Sequence, residues 1–315
     1  MALTLEQYAS YLDSKSFQWP VPIPATSLRA KPHLKSLRGI KAVTWTIYGT
    51  LLQINEGDLK FTPENQLILN IALDKTIQEF KMWQSMSRKP GQPADYMREI
   101  YLRTLSDLQL APSGGEKYPE ILSERIWESI IKKLFQKEYQ FDIGFYGSLN
   151  EYAKKIAFYF HASLQGTKSY PSAAATLEQL ANNKIKQGLI ADGQCFTYVQ
   201  LKRAIFEQNP KIDLDQIMPL ENRILSCDLR AKKPSEKLFL GSLERLGEQG
   251  IDPKEILHVG SNLTRDIAPA KEYGLHTALF AGDRASLVAS SEQLKDPALR
   301  PDLLITELSQ LLEVL

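Results

Sequence analysis

The pattern of apolar and polar residues changes twice along the chain. A short apolar run at 42–47 is rich in β-branched side chains, which predicts a buried strand. Between about residues 58 and 168, apolar residues recur every three or four positions, as they do in amphipathic helices. From about residue 170, predicted helices alternate with short apolar runs at 188–191, 223–227, 256–260, 276–280 and 302–306. This alternation predicts a mostly parallel sheet with helices on both faces.

The helices predicted between these strands span 173–186, 196–208, 234–247 and 264–273. In the middle segment, Thr62 and Pro63 predict a helix start, because Thr is a favoured N-cap and Pro suits the first helical position. The apolar face of that helix is predicted to contain Leu69, Leu73, Ile77, Phe80 and Trp83. A second helix at 123–135 is predicted to bury Ile126, Trp127, Ile130, Ile131, Leu134 and Phe135.

The first 38 residues have a pattern unlike that of the remaining chain. Leu5, Tyr8 and Leu12 suit a short amphipathic helix, whereas the proline-interrupted stretch WPVPIPATSLRAKP is predicted to wrap the surface as an extended arm. We divide the chain into an N-terminal extension at 1–38, an α/β core made of 39–56 and 169–315, and an inserted helical domain at 57–168. The predicted fold class is α/β, with a doubly wound, Rossmann-like parallel sheet and an inserted α-helical domain.

Composition narrows the range of partners. The 315 residues carry a net formal charge of +1, which argues against electrostatic binding to nucleic acid or to an anionic membrane surface. No apolar run reaches the roughly 18 residues that a membrane helix needs, so we predict neither nucleic-acid nor membrane partners. The N-terminus lacks the pattern of a secretory signal, and Cys195 and Cys227 are predicted to be free thiols. These features predict a cytoplasmic location.

The candidate site consists of the residues just beyond the strands, because ligands of such sheets bind beyond the carboxyl ends of the strands. Gly49 predicts a tight turn in which main-chain amides approach a ligand. The candidate residues are Thr46, Tyr48, Gly49, Thr50, Ala191, Asp192, Lys233, Ser261 and Asp266.

Four of these segments resemble, in order, the four motifs of the haloacid-dehalogenase-like (HAD) superfamily. KAVTWTIYGTLL resembles motif I, GLIADG motif II, SCDLRAKKPSEKLF motif III and LHVGSNLTRDIAPAKEYG motif IV. In addition, RPDLLITELSQLLEVL resembles the family's closing strand and helix, and YPEILSERIW resembles the helical caps of dehalogenase-type members. The resemblance spans about 260 residues and implies an α/β core with a helical cap domain at 57–168.

The resemblance also implies roles that this sequence does not fill. The family's nucleophilic, Mg²⁺-binding Asp corresponds to Thr46, and its second acidic position corresponds to Tyr48. The phosphate-binding hydroxyl of motif II corresponds to Ala191, and the first Asp of motif IV, a metal ligand, corresponds to Ser261. All four positions therefore depart from the phosphatase pattern, although a Tyr at the second position is common among dehalogenase-type members.

Lys233 and Asp266 match the motif III Lys and the last acid of motif IV. A carboxylate can attack at neutral pH because it is already ionised, whereas the hydroxyl of Thr46 needs a base. Mg²⁺ prefers oxygen ligands that include carboxylates, and only Asp266 and Asp192 remain as weak candidates. We therefore predict no catalytic residues, no metal and no cofactor. The dehalogenase reaction also uses the missing Asp, so we exclude it together with phosphate hydrolysis.

Two functions remain open from the sequence. The first is a non-catalytic, pseudoenzyme-like protein that binds a small anionic metabolite or a protein partner, with Thr50, Lys233 and the turn at Gly49 as anion donors. The second is a divergent hydrolase of the phosphatase or dehalogenase class, in which Thr46 is activated by Lys233 or a displaced carboxylate takes over.

Overall fold

The computed structural model describes residues 2–15, 17–86, 91–111 and 114–315. Its strands are β1 Ala42–Trp45, β2 Leu52–Ile54, β3 Thr167–Ser169, β4 Lys186–Ala191, β5 Arg223–Leu225, β6 Ile256–Gly260, β7 His276–Phe280 and β8 Leu303–Ile305. Its α-helices are α1 Leu5–Ser14, α2 Gln66–Glu79, α3 Pro93–Gln109, α4 Ser123–Phe135, α5 Ile143–Tyr146, α6 Leu149–Leu164, α7 Ala173–Asn182, α8 Thr197–Gln208, α9 Leu214–Ile217, α10 Ser226–Leu229, α11 Glu236–Gly247 and α12 Ala268–Glu272.

The core is a six-stranded parallel sheet in the order β5-β4-β1-β6-β7-β8, which confirms the predicted fold class. Successive side chains of a strand point to opposite faces, and both faces of β1 are buried. Val43 and Trp45 pack with α7 and α8 on one face, whereas Ala42 packs with α11 and α12 on the other. A strand buried on both faces has no polar side to present, which explains the continuous apolar run in the sequence.

A second, two-stranded sheet joins the core to the helical segment. Its strands β2 and β3 are antiparallel, and the chain between them contains α2 to α6. These helices enclose their own apolar core, in which Trp127, Tyr101 and Phe160 are fully buried. No helix in the described part of the chain is both long enough and apolar enough to cross a membrane. The division into domains at residues 57 and 168 stays a prediction.

Three details of the predicted helices are wrong. The helix predicted from Thr62 begins at Gln66, because the side chain of Asn65 caps it by accepting a hydrogen bond from the Leu67 amide at 2.9 Å. Trp83 is 44% exposed, since α2 ends at Glu79 and the chain then leaves the helix axis. Phe135, the last residue of α4, is 40% exposed.

The helix predicted at 173–186 is also too long. It ends at Asn182, and β4 already begins at Lys186. The left-handed backbone of Lys184, with φ of 63°, reverses the chain between them. Similarly, the strand predicted at 223–227 ends at Leu225 and continues directly into α10. The helix predicted at 264–273 is a π-helical turn, Leu263–Ile267, followed by α12.

The N-terminal extension contacts both the helical segment and the core. Tyr8 and Leu12 of α1 are fully buried in the apolar core of the helical segment. On its other side, α1 forms ion pairs with α8 of the core through Glu6 with Lys202 and through Asp13 with Arg203. Helix α1 therefore joins the two parts of the molecule.

The proline-rich arm after α1 crosses the two-stranded sheet. The Ile23 amide donates to Asn55 Oδ1 at 2.8 Å, just beyond β2. A Cβ atom at Gly166, just before β3, would lie 1.8 Å from the carbonyl oxygen of Pro20, so the arm lies directly against the main chain there. Further along, His33 forms an antiparallel bridge with Leu304 of β8. The arm thus ties the connection between the two parts to the far edge of the sheet.

Candidate functional site

A cleft of about 120 Å³ lies at the carboxyl ends of β1, β4 and β6. Most of the candidate residues line it, together with three segments that the sequence did not indicate. The predicted residues in the cleft wall are Thr46, Tyr48, Asp192, Lys233, Ser261 and Asp266. The additional segments are 56–60, Arg265 and 285–288. The carboxyl ends of adjacent parallel strands meet at one edge, which explains why residues distant in sequence converge there.

The main-chain amides of the turn after β1 form hydrogen bonds within the turn. Gly49 has a φ of 78°, and a Cβ atom there would lie 2.7 Å from Ser261 Oγ, so both conformation and space require glycine. Its amide donates to the Leu52 carbonyl at 2.7 Å, and the amide of Thr50 donates to Ile47 at 3.2 Å. These amides are therefore used within the turn and are not offered to a ligand.

Thr50, likewise, is not among the residues that line the cleft. Its side chain is fully buried, and its hydroxyl has no hydrogen-bond partner within the described residues. Thr50 and Gly49 shape the turn and are not among the residues that line the cleft. Their role as anion donors stays a prediction, because a pattern of residue types does not reveal whether a loop amide is already hydrogen-bonded.

Lys233 is the centre of the polar network in the cleft. It is only 3% exposed, and its Nζ donates to Thr46 Oγ1 at 2.8 Å and to the Ile190 carbonyl at 3.3 Å. The same nitrogen forms a short hydrogen-bonded ion pair with Asp266 Oδ1. An ammonium group has three N–H donors, so these three acceptors saturate it.

Asp266 is fully held by the protein around it. Its Oδ2 accepts hydrogen bonds from the amides of Ser261 at 3.0 Å and Asn262 at 2.9 Å. Burial alone would raise the pKa of the Asp266 carboxyl, but the charge of Lys233 and these hydrogen bonds outweigh burial, so its pKa is lowered. Asp266 is therefore ionised, and it braces the loop after β6.

Both carboxylate oxygens of Asp192 also have partners in the protein. Its Oδ1 accepts from the amide of Lys233 at 2.7 Å, and its Oδ2 lies 3.6 Å from Arg265. Burial raises the pKa of the Asp192 carboxyl despite these positive neighbours. Its neighbour Ala191, at the end of β4, is fully buried and supplies no hydroxyl.

Tyr48 lines the cleft, and its hydroxyl is hydrogen-bonded to side chains of α8. Its hydroxyl donates to Gln200 Oε1 at 2.6 Å and lies 2.9 Å from Thr197 Oγ1. Burial strongly raises the pKa of the Tyr48 hydroxyl. Tyr48 therefore fixes the turn against α8 and has no proton to exchange with a ligand near neutral pH.

Arg265 is the main residue that sequence reasoning missed. It donates to Asp58 Oδ2 at 2.8 Å and lies next to Asp192, so it neutralises two carboxylates at the cleft wall. No signal in the sequence indicates it, because its partner Asp58 is 207 positions away in the chain. Counting Glu56 and Lys60 as well, four carboxylates and three cations line the cleft. The charge balance of the cleft is therefore slightly negative.

The residues of the cleft do not fit Mg²⁺. The two positions of motifs I and IV that would carry metal-binding carboxylates hold Thr46 and Ser261, which are uncharged. Both oxygens of Asp266 are already engaged, one by Lys233 and one by main-chain amides. Across the described ranges, no three His, Cys, Asp or Glu side chains are grouped so that they could hold a metal ion. No step involving Mg²⁺ can be derived from this site.

Comparison with known proteins shows the family. The profile of haloacid dehalogenase-like hydrolases matches residues 40–274, and the chain belongs to that family. It is 32% identical to the Rhythmically expressed gene 2 protein of Drosophila melanogaster over 102 residues, which cover 32% of this chain and 35% of the relative. It is 30% identical to the Glyceraldehyde 3-phosphate phosphatase of Pyrococcus furiosus over 164 residues, which cover 52% of this chain and 61% of the relative.

A solved structure supports the same fold. The 2-haloacid dehalogenase of Pseudomonas syringae pv. Tomato DC3000 has a TM-score of 0.53 and 20% identity, over 87% of this chain and 97% of that chain. The match to the curated relatives spans about one third to three fifths of their length. The resemblance to the HAD superfamily is therefore confirmed.

Proposed function

We propose that this protein is a non-catalytic member of the family, which acts by binding a small metabolite or a protein partner. The observation that carries the proposal is the saturation of Lys233 by Thr46, Ile190 and Asp266. A cation that binds a substrate anion or activates a nucleophile needs a free donor or a free lone pair. Lys233 has neither in this arrangement.

The hydroxyl of Thr46 supports the proposal for a related reason. It accepts a hydrogen bond from Lys233 Nζ, which is also ion-paired with Asp266. An amine that donates to a hydroxyl and to a carboxylate has no lone pair directed at the proton of that hydroxyl, so the hydroxyl stays a weak nucleophile. Loss of a covalent nucleophile alone can cost about 10⁶ in rate in a hydrolase.

The charges of the cleft bear on what it could bind. Lys60 is the cleft cation for which no ion pair is found among the described residues, whereas Arg265 and Lys233 are both paired with carboxylates. A strongly anionic ligand would therefore meet more negative than positive charge at this place. The cleft favours a neutral or weakly charged metabolite, or contact with a protein partner, over a free phosphate.

A second candidate function is a divergent hydrolase in which Thr46 is the nucleophile and Lys233 its partner. The distance of 2.8 Å between Thr46 Oγ1 and Lys233 Nζ favours it, because the two side chains are in hydrogen-bond contact. The names of similar proteins, a phosphatase and a dehalogenase, agree with hydrolysis as a reaction class. This function requires that Lys233 leave its ion pair with Asp266 and lose a proton, so that the neutral amine can accept the proton of Thr46.

A turnover assay separates the two functions. Wild type, Thr46→Ala and Lys233→Gln are incubated with an aryl phosphate and with a 2-halo acid, with and without Mg²⁺. The non-catalytic function predicts the same background rate for all three proteins. The hydrolase function predicts turnover by wild type that both substitutions abolish.

A further inference from the structure

A second cavity lies at the opposite end of the sheet from the cleft. It measures about 430 Å³ and is bounded by the arm, the end of α12 and the segment 294–304. It lies beside the start of β8, where His33 of the arm pairs with Leu304. The cleft described above lies at the carboxyl ends of the strands, so the two cavities are separate.

The charges that line this cavity are mainly positive. The cavity is lined by Lys35, Lys271, Arg300 and His33, and by one carboxylate, Asp302. Asp302 Oδ2 accepts hydrogen bonds from the amide of Thr277 at 2.9 Å and from its hydroxyl at 3.1 Å. The cavity therefore carries an excess of positive charge.

Lys271 is held in place by the main chain. Its Nζ donates to the carbonyl oxygens of Pro297 at 2.9 Å and Arg300 at 2.7 Å. Both acceptors are uncharged, so the positive charge of Lys271 is not neutralised by them. These bonds also fasten the segment 297–300, which carries Arg300, to α12. For Lys35 and Arg300, no ion pair with a carboxylate is found within the described residues.

We propose that this cavity binds the phosphate group of an organic phosphate. The planar guanidinium of Arg300 matches a phosphate with two parallel hydrogen bonds, and Lys35 and Lys271 supply further charge. Leu294 and the prolines at 297 and 301 form an apolar wall, which gives the organic part of the ligand a surface to contact. This site is independent of the cleft and of any activity there.

Calorimetry with phenyl phosphate and inorganic phosphate at fixed ionic strength tests the site. Wild type is expected to bind phenyl phosphate saturably and more tightly than inorganic phosphate, because only the former contacts the apolar wall. Arg300→Gln is expected to weaken binding at least tenfold, and Lys35→Gln severalfold. Both side chains are exposed, so each variant is expected to fold.

Matched controls remove an exposed cation elsewhere: Arg103→Gln on α3 and Lys211→Gln before α9. Both are expected to bind as wild type does. Equal loss in the controls would show that only general surface charge is involved, and that result would overturn the site. It is equally overturned if wild type shows no saturable binding, or if Lys60→Gln in the cleft abolishes binding while Arg300→Gln does not.

Discussion

Lys233 Nζ lies 2.8 Å from Thr46 Oγ1 and at the same time forms a buried ion pair with Asp266. Both ionised side chains are 2% exposed, so water does not screen the pair. Removing one member of such a pair leaves the other charge buried without a counter-charge, which is more costly than removing both. The pair is thus better described as part of the fold than as a group poised for chemistry.

The ion pair leads to a prediction about stability. We expect Asp266→Asn to lower the free energy of unfolding by about 3–5 kcal/mol, because it leaves Lys233 charged and unpaired. The double variant Lys233→Met/Asp266→Asn should lose less than the sum of the two single losses. Denaturant unfolding is measured for wild type, Lys233→Met, Asp266→Asn and the double variant. Lys60→Gln serves as control and should change stability by less than about 0.5 kcal/mol; strictly additive losses would show that the pair is not coupled.

A pH dependence is expected from Glu120, which lies between α3 and α4 and accepts a hydrogen bond from Ser226 Oγ at 2.6 Å. Burial, with a contribution from Asp192, raises the pKa of Glu120 from 4.5 to about 7. A raised pKa in the folded state means that the carboxyl's contribution to stability is complete below pH 4.5 and is lost as the pH rises through 7. The free energy of unfolding should therefore fall between pH 5 and pH 8, by on the order of 2 kcal/mol.

Glu120→Gln should remove most of this slope, since glutamine keeps the side-chain shape and does not titrate. Asp266 acts in the opposite sense, because its pKa is lowered, and its contribution is lost only as the pH falls below 3.8. The two effects occur in separate pH ranges and can be measured in one series of denaturant titrations. An unchanged slope in Glu120→Gln would mean that another group is responsible.

The arm gives a third prediction. Gly166→Ala should displace the arm, because the new Cβ atom would lie 1.8 Å from the Pro20 carbonyl oxygen. We expect a loss of about 1–3 kcal/mol and faster proteolysis within 17–38. Gly247→Ala at the end of α11 is the matched control: no atom lies within 4 Å of its Cβ, so it should be neutral or stabilising. Equal protease sensitivity of both variants would show that the arm is not held at Gly166.

Metal binding gives a fourth prediction. Calorimetry of the wild type with Mg²⁺ should show no micromolar site, because Thr46 and Ser261 bring no negative charge and Asp266 is already paired. A micromolar site that disappears in Asp266→Asn would contradict this expectation. In that case Asp266 would have to leave its ion pair with Lys233 and bind the metal ion.

The sequence predicted the parts of the molecule that depend on periodicity. The sheet, the helical segment and the convergence of Thr46, Lys233 and Asp266 follow from strand–helix alternation and from the motif order. Helix ends were less predictable, since Asn65 competed with Thr62 as the cap. Nor could residue types alone show that Lys233 has three acceptors, or that the Gly49 amide is bonded to Leu52. Those contacts depend on tertiary geometry.

The contacts of Arg265 also depend on tertiary geometry. Between Thr264 and Asp266 it reads as an ordinary exposed residue of a helical turn, yet it reaches Asp58, which is 207 positions away in the chain. Such a contact arises because the segment 56–60 folds over the carboxyl end of the sheet. The charge balance of the cleft, and with it the case against a phosphate ligand there, could not be obtained before the fold was known.

We propose that the missing carboxylates silence the site, and restoring them tests this proposal most directly. The triple variant Thr46→Asp/Tyr48→Asp/Ser261→Asp is assayed for Mg²⁺-dependent hydrolysis of an aryl phosphate beside wild type and Thr46→Ala. The substitutions supply the nucleophile, a general acid and a second metal ligand. We expect Mg²⁺ binding and slow hydrolysis in the triple variant, limited by Ala191, and neither in wild type. Hydrolysis by wild type that exceeds that of the triple variant and is lost in Thr46→Ala would contradict the account.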